Sequence, residues 1–238
     1  MLNAHPDVFC PAEIKFHADL LGQFPGDPLA HVRLGASIEA LDLPRETWLD
    51  AFGGAFVALY QEAARRADAR RWADKTPENA VNAHHWDRLL DGRMAFVLLV
   101  RHPVDVVASM GEAKMDKTVP TTPSGRAEHW VRYTRAGLDF ARAHPARSRV
   151  IAYEDLASDP EGTTERLCRF LDLPFDQAMI RDYARGGGPG RLEDPKVAYT
   201  VGVHADSIGR GRRELDMPTM EEVVRVAGPL MEELGYHA

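Results

Sequence analysis

The sequence predicts an α/β fold, a parallel sheet flanked by helices. Three observations carry this. Short apolar runs of strand length stand at 94-MAFVLLV-100 and 148-SRVIAY-153, with a weaker one at 71-RWADK-75. Helical patterns of ten residues or more separate and follow them, as parallel strands require for their crossovers. The strands read as continuously apolar, the pattern expected when both faces are covered.

Taken in order, the opening 1-MLNAHP-6 resembles the last turn of a helix running into a proline stop, with nothing ahead of it. Apolar residues at three- and four-residue steps then predict a helix over 46–67, followed by the weak strand at 71–75. A helix over 78–90 leads to the strong strand at 94–100, and helices over 104–114 and 126–143 follow it. After the third strand come helices over 161–173, 175–185 and 218–234. Between the last two, residues 186–213 are rich in glycine and arginine with little periodicity; a loop of that length in a compact domain is usually functional or mobile.

With 238 residues, 45% of them hydrophobic, and no Pro/Gly/Ser-rich linker, the chain is expected to form a single domain over 1–238. A net charge of −7 argues against nucleic acid or an anionic membrane as partner, so any phosphate it binds must meet locally placed cations. Two cysteines, Cys10 and Cys168, argue against a disulfide framework and a four-thiolate zinc site, and a reducing, cytoplasmic setting is the default. No run is long enough to span a membrane, and the N-terminus does not have the form of a signal peptide.

Ligands of such sheets bind beyond the carboxyl ends of the strands. The residues there are Lys75, Arg101 and Tyr153, the last followed by Glu154 and Asp155. Arg101 ends the strongest strand just before Pro103, which suits the first turn of a helix. Ser109 lies two turns into that helix, so a guanidinium fork and a hydroxyl stand ready for a phosphate. Read alone, the ordinary expectation is that Arg101 pairs with an acidic neighbour and that Lys75 is a solvated cation ahead of a well-capped helix. Adjacent His84 and His85 diverge on a helix, so core or surface roles are expected of them ahead of metal ligation.

Together, W-x-D-K-T-P-x-N at 72–79, R-H-P-x-D-V-V-A-S-M at 101–110 and Y-E-D-L-x-x-D-P at 153–160 resemble the sulfotransferases that use 3′-phosphoadenosine-5′-phosphosulfate (PAPS). The segment 206-DSIGRGRREL-215 is similar to that family's closing cofactor loop, and A-H-P-D-V-x-C-x-x-E at 4–13 to its bacterial and tyrosylprotein branches. The resemblance implies a P-loop-like fold and transfer of a sulfuryl group from PAPS, without a metal, to a hydroxyl or amine of a small-molecule or peptide acceptor. It implies that Arg101, Ser109 and Arg210 hold the 3′-phosphate, with Tyr153 near it or the adenine. Glu13 is then the general base, and Lys75 the cation at the sulfuryl centre.

Two departures stand out. The family's first strand and P-R-S-G-T-T loop, whose amides cradle the 5′-phosphosulfate, have no counterpart here. Their absence is expected to weaken donor binding and to leave unpaired edges and exposed apolar surface. Gly211 stands where the closing loop usually carries a tryptophan. The competing functions are a non-catalytic 3′,5′-ADP-binding or scaffold protein on the same surface, and a nucleotide kinase, for which a Gly-x-x-x-x-Gly-Lys motif would be required and is missing.

Overall fold

A computed structural model of the chain describes residues 1–11, 13–14, 36, 38–112, 120–182 and 203–237. The chain divides into two compact units, one of residues 1–94 and 176–202, the other of 95–175 and 203–238.

The first unit opens with a 3₁₀ turn, Leu2–Ala4, and a two-residue strand β1, Val8–Phe9. Helix α1, Arg45–Arg66, follows, then strand β2, Arg71–Trp72, a 3₁₀ turn over Pro77–Ala80, helix α2, Ala83–Leu89, and the short helix α7, Ala178–Arg181. β1 and β2 pair in parallel with Phe9 opposite Trp72. The core is aromatic. Tyr60 of α1 stacks on Trp72 at 4.5 Å between centroids and meets the edge of Trp86 at 6.4 Å. Val57, Phe9, Phe56 and Leu89 close around them. β1 was not expected, since two residues between prolines carry no period. The expected helix over 78–90 is a 3₁₀ turn and a separate helix.

The second unit holds strand β3, Phe96–Val100, helices α3, Pro103–Glu112, and α4, Pro123–Ala143, then strand β4, Ser148–Ala152. Helices α5, Tyr153–Ser158, α6, Pro160–Phe170, α8, Arg210–Glu214, and α9, Met217–Glu233, complete it. β3 and β4 are parallel, with Phe96 opposite Ser148 and Val100 opposite Ala152. The helices start where polar caps place them: Thr122, Asp159 and Asp216 accept from the amides of Gly125, Gly162 and Thr219, each ahead of a proline in the first turn. The Thr219 bond holds the Asp216 carboxyl below its ordinary range. α4 buries Ala127, Trp130, Thr134, Gly137, Leu138 and Ala141, a stripe at helical spacing. A Cβ on Gly137 would stand 2.6 Å from Leu98, so this glycine sets the approach of α4 to β3.

Three expectations are corrected. The strands are not covered throughout: Leu99 and Val150 are 52% and 45% exposed, so a face of the β3–β4 pair is open at these positions, and among the described residues the two strands pair with each other. Tyr153–Ser158, where no helix was expected, is helical, and so is Arg210–Glu214, most of which was read as loop. Of the expected helix over 175–185, Ala178–Arg181 is helical and Asp182 is a bend; residues 183–202, most of the expected long loop, lie outside the described residues, as do 113–119.

Candidate functional site

The parallel register of the second unit decides which side chains meet. Val100 and Ala152 are partners, so the next residues, Arg101 and Tyr153, emerge side by side. The Arg101 guanidinium carbon lies 4.6 Å from the centre of the Tyr153 ring, a cation–π contact. Its Nη2 donates to the Ser207 carbonyl at 2.5 Å and stands 3.8 Å from Asp105. Nε is buried and has no acceptor among the described residues. An unused buried donor of this kind is costly by about 1–3 kcal/mol, and an anionic oxygen would satisfy it. The backbone behind it is also tied down, for the Arg101 carbonyl accepts the indole N–H of Trp130 at 3.0 Å.

Ser109, half-buried, shares the Asp105 face of α3, one turn further on. Arg210 opens α8 and is clamped by Glu214, both of whose carboxylate oxygens accept from its Nε at 2.8 Å. The Gly211 departure has a local cause. A Cβ there would stand 2.4 Å from the backbone oxygen of Val104, so no side chain fits between α8 and α3.

Glu154, after Tyr153, holds the strand end from the other side. It accepts from the His102 amide at 2.9 Å and from the Tyr236 hydroxyl at 2.9 Å. Burial first, then the Glu154 carboxylate, pushes the Tyr236 phenol far above its usual range, so it remains a donor.

In the first unit Asp74, Thr76 and Asn79 of W-x-D-K-T-P-x-N each make side-chain hydrogen bonds. Asp74 accepts from the Tyr60 hydroxyl at 2.5 Å, the Thr76 amide at 2.8 Å and the Asn79 side chain at 2.8 Å. Asn79 in turn accepts the Trp86 indole N–H at 2.8 Å. Burial, with the Asp74 charge second, pushes the Tyr60 phenol well above its ordinary range. The Thr76 hydroxyl donates to the Ile14 carbonyl at 3.1 Å and accepts the Ile14 amide at 3.2 Å. Lys75 is exposed at the tip of this turn, and Glu13, which lines a cleft of about 410 Å³ with Phe9, Cys10 and Ile14, is next to the residue Thr76 grips. The pinning of Thr76 to Ile14 thus brings together the neighbourhoods of Lys75 and Glu13.

Asp74→Ala removes an acceptor for three donors, one of them the buried Tyr60 hydroxyl. It is expected to destabilise the first unit by about 2–4 kcal/mol. Three of the four tryptophans, Trp48, Trp72 and Trp86, lie in this unit, so urea unfolding followed by tryptophan fluorescence reports mainly on it.

Sequence reasoning gave no role to Asp105, Asp74, Thr76, Asn79 or Glu154, although all five stand inside the quoted motifs. Apart from the bonds of Asp74 to Thr76 and Asn79, their partners lie on other elements, and no spacing along the chain announces them. Among the described residues no cluster of three metal-ligating side chains occurs, and no helix is long and apolar enough to cross a membrane.

A model described as the sulfotransferase family matches residues 1–177. The chain belongs to the sulfotransferase family. Two nematode proteins, each described as "Putative protein-tyrosine sulfotransferase", are similar to it over 201 residues. The one from Caenorhabditis briggsae is 26% identical, covering 83% of this chain and 68% of the relative. The one from Caenorhabditis elegans is 28% identical, covering 83% and 74%. Of solved structures, the sulfotransferase domain from the curacin biosynthetic pathway superposes with a TM-score of 0.66 at 21% identity, over 99% of this chain and 91% of that one. The sulfotransferase domain of the Synechococcus PCC 7002 olefin synthase gives 0.58 at 22%, over 94% and 75%. The fold is therefore the P-loop-like α/β fold of sulfotransferases. The function that goes with the family is transfer of a sulfuryl group from a sulfate donor to an acceptor.

Proposed function

We propose that the donor is PAPS and that Arg101, Ser109 and Arg210 hold its 3′-phosphate beside Tyr153. The observation that carries this reading is the Arg101 guanidinium: over an aromatic ring, fixed at Nη2, with a buried Nε that has no acceptor among the described residues. A fork held in this way fits the oxygens of a phosphate. Arg210 would exchange Glu214 for the phosphate, a swap between two anions. When bound, the donor supplies a sulfuryl group on a phosphate leaving group.

Glu13 is assigned as the base that takes the acceptor's proton, and Lys75 as the cation that balances charge growing on the bridging oxygen. In the balanced reaction an acceptor O–S bond forms, the S–O bond to phosphate breaks, and the proton passes to Glu13. The products are a sulfate ester and 3′,5′-ADP. The descriptions of the nematode relatives point to a peptide tyrosine as the acceptor to try first, ahead of small phenols and amines.

The test is formation of 3′,5′-ADP from PAPS, in EDTA, with a tyrosine peptide and with a simple phenol in parallel. Transfer that is insensitive to EDTA supports the reading, and the better substrate sets the acceptor class. A folded chain that transfers to no hydroxyl or amine would contradict it and leave a nucleotide-binding role.

A further inference from the structure

Asp105 is 2% exposed, and both its oxygens are engaged. Oδ1 accepts the Gly211 amide at 2.7 Å, and Oδ2 accepts the Gly209 amide at 2.8 Å. Oδ2 also stands 3.8 Å from Nη2 of Arg101, the same nitrogen that donates to Ser207. One carboxylate therefore joins the strand-end guanidinium to the segment that carries Arg210, across more than a hundred residues of sequence.

Two features make this contact demanding. Gly209 has a φ of +68°, a left-handed conformation that favours glycine, and it turns its amide toward Asp105. Gly211 approaches α3 so closely that a Cβ would collide with the Val104 carbonyl. Arg210 lies between the two bonded amides, so its backbone is fixed from both sides. A buried carboxylate is expensive unless its oxygens are all met. An apolar residue could have filled the first turn of α3 without that desolvation, but it could neither bind two amides nor orient a guanidinium.

We propose that Asp105 is a positioning residue for the 3′-phosphate of the donor. It sets the plane of Arg101 on Tyr153 and holds Arg210 in register, so that two cations from distant parts of the sequence act as one receptor. This role rests on the reading of Arg101 and Arg210 given above. It does not require Asp105 to touch the donor.

The sign of the effect separates positioning from simple neutralisation. A negative charge this near a phosphate site repels the ligand. If Asp105 only balanced Arg101, Asp105→Asn would strengthen binding of 3′,5′-ADP. If it positions, the amide NH₂ faces one glycine N–H in place of an acceptor, and binding weakens. Gly211→Ala reaches the same contact from the other side: it leaves the carboxylate intact and pushes α8 off α3.

The experiment is calorimetric titration of the full chain and both variants with 3′,5′-ADP and with AMP, which lacks the 3′-phosphate. Far-UV circular dichroism confirms that each is folded. Asp105→Asn is expected to lower the preference for 3′,5′-ADP over AMP about tenfold, with AMP binding little changed, and Gly211→Ala is expected to reproduce it. A general structural lesion would weaken both nucleotides alike and leave the ratio intact, which overturns the proposal. So does an unchanged or raised ratio in both variants of a chain that shows the preference when unaltered; the donor reading then stands without Asp105. If the unaltered chain shows no 3′-phosphate preference, the donor reading fails, and this role fails with it.

Discussion

Arg101→Ala is expected to lower affinity for 3′,5′-ADP by about a hundredfold while the chain remains folded. The magnitude follows from the bonds at stake. A hydrogen bond to a charged group contributes up to about 3 kcal/mol, so the bond offered by the buried Nε alone accounts for a loss of that size. Binding of AMP is expected to change much less. The fold is expected to survive because Arg101 is not packed in the apolar core. Its contacts are a carbonyl, a ring face and a shared carboxylate, and Asp105 keeps two amide partners without it. Arg101→Lys should not restore binding, since an ammonium has no planar fork to lie on Tyr153 and spread donors toward an anion. Affinity unchanged in Arg101→Ala would remove Arg101 from the site altogether.

The second large effect is expected at Lys75. Its side chain is exposed, while Asp74, Thr76 and Asn79 on either side carry the bonds that hold the turn. Lys75→Ala should therefore leave stability nearly untouched. If Lys75 meets charge that develops only as sulfur changes partners, its loss lowers kcat by about 10²–10³-fold with little change in KM for PAPS. Steady-state kinetics of Lys75→Ala beside Asp74→Ala separates the two kinds of residue. The first loses turnover and keeps its unfolding midpoint, and the second loses the midpoint. A Lys75→Ala chain with full kcat would make the lysine a solvated surface cation.

These residues differ in how far the sequence disclosed them. Arg101 was legible because its position is a local fact: five apolar residues, then a cation, then a helix-starting proline. Tyr153 was legible for the same reason at the end of β4, and the parallel register then brought the two into contact. Lys75 was legible as a cation at a strand end, but the role proposed for it, and Glu13 altogether, came only through resemblance. β2 is two residues long, and β1, equally short and set between prolines, has no period to read. The helices that follow Ala152 and Gly209 were missed because six and five residues are too few for a helical stripe. Asp105 was in plain view inside R-H-P-x-D, four residues from Arg101, yet its meaning depends on two glycine amides more than a hundred residues away. Hydrophobic period and turn chemistry report what a residue does to its own element; a side chain that joins two elements leaves no such trace. The same holds for Thr76 and Ile14. Gly211 looked like a lost tryptophan until its backbone was placed against Val104.

The most direct test of the central claim is calorimetric titration of the unaltered chain with 3′,5′-ADP, with AMP as the control. The structure predicts binding of 3′,5′-ADP at least tenfold tighter than AMP, with no requirement for magnesium. Equal affinity for the two nucleotides, or binding of neither by a chain shown to be folded, would contradict the assignment of Arg101, Ser109 and Arg210 to the 3′-phosphate of the donor.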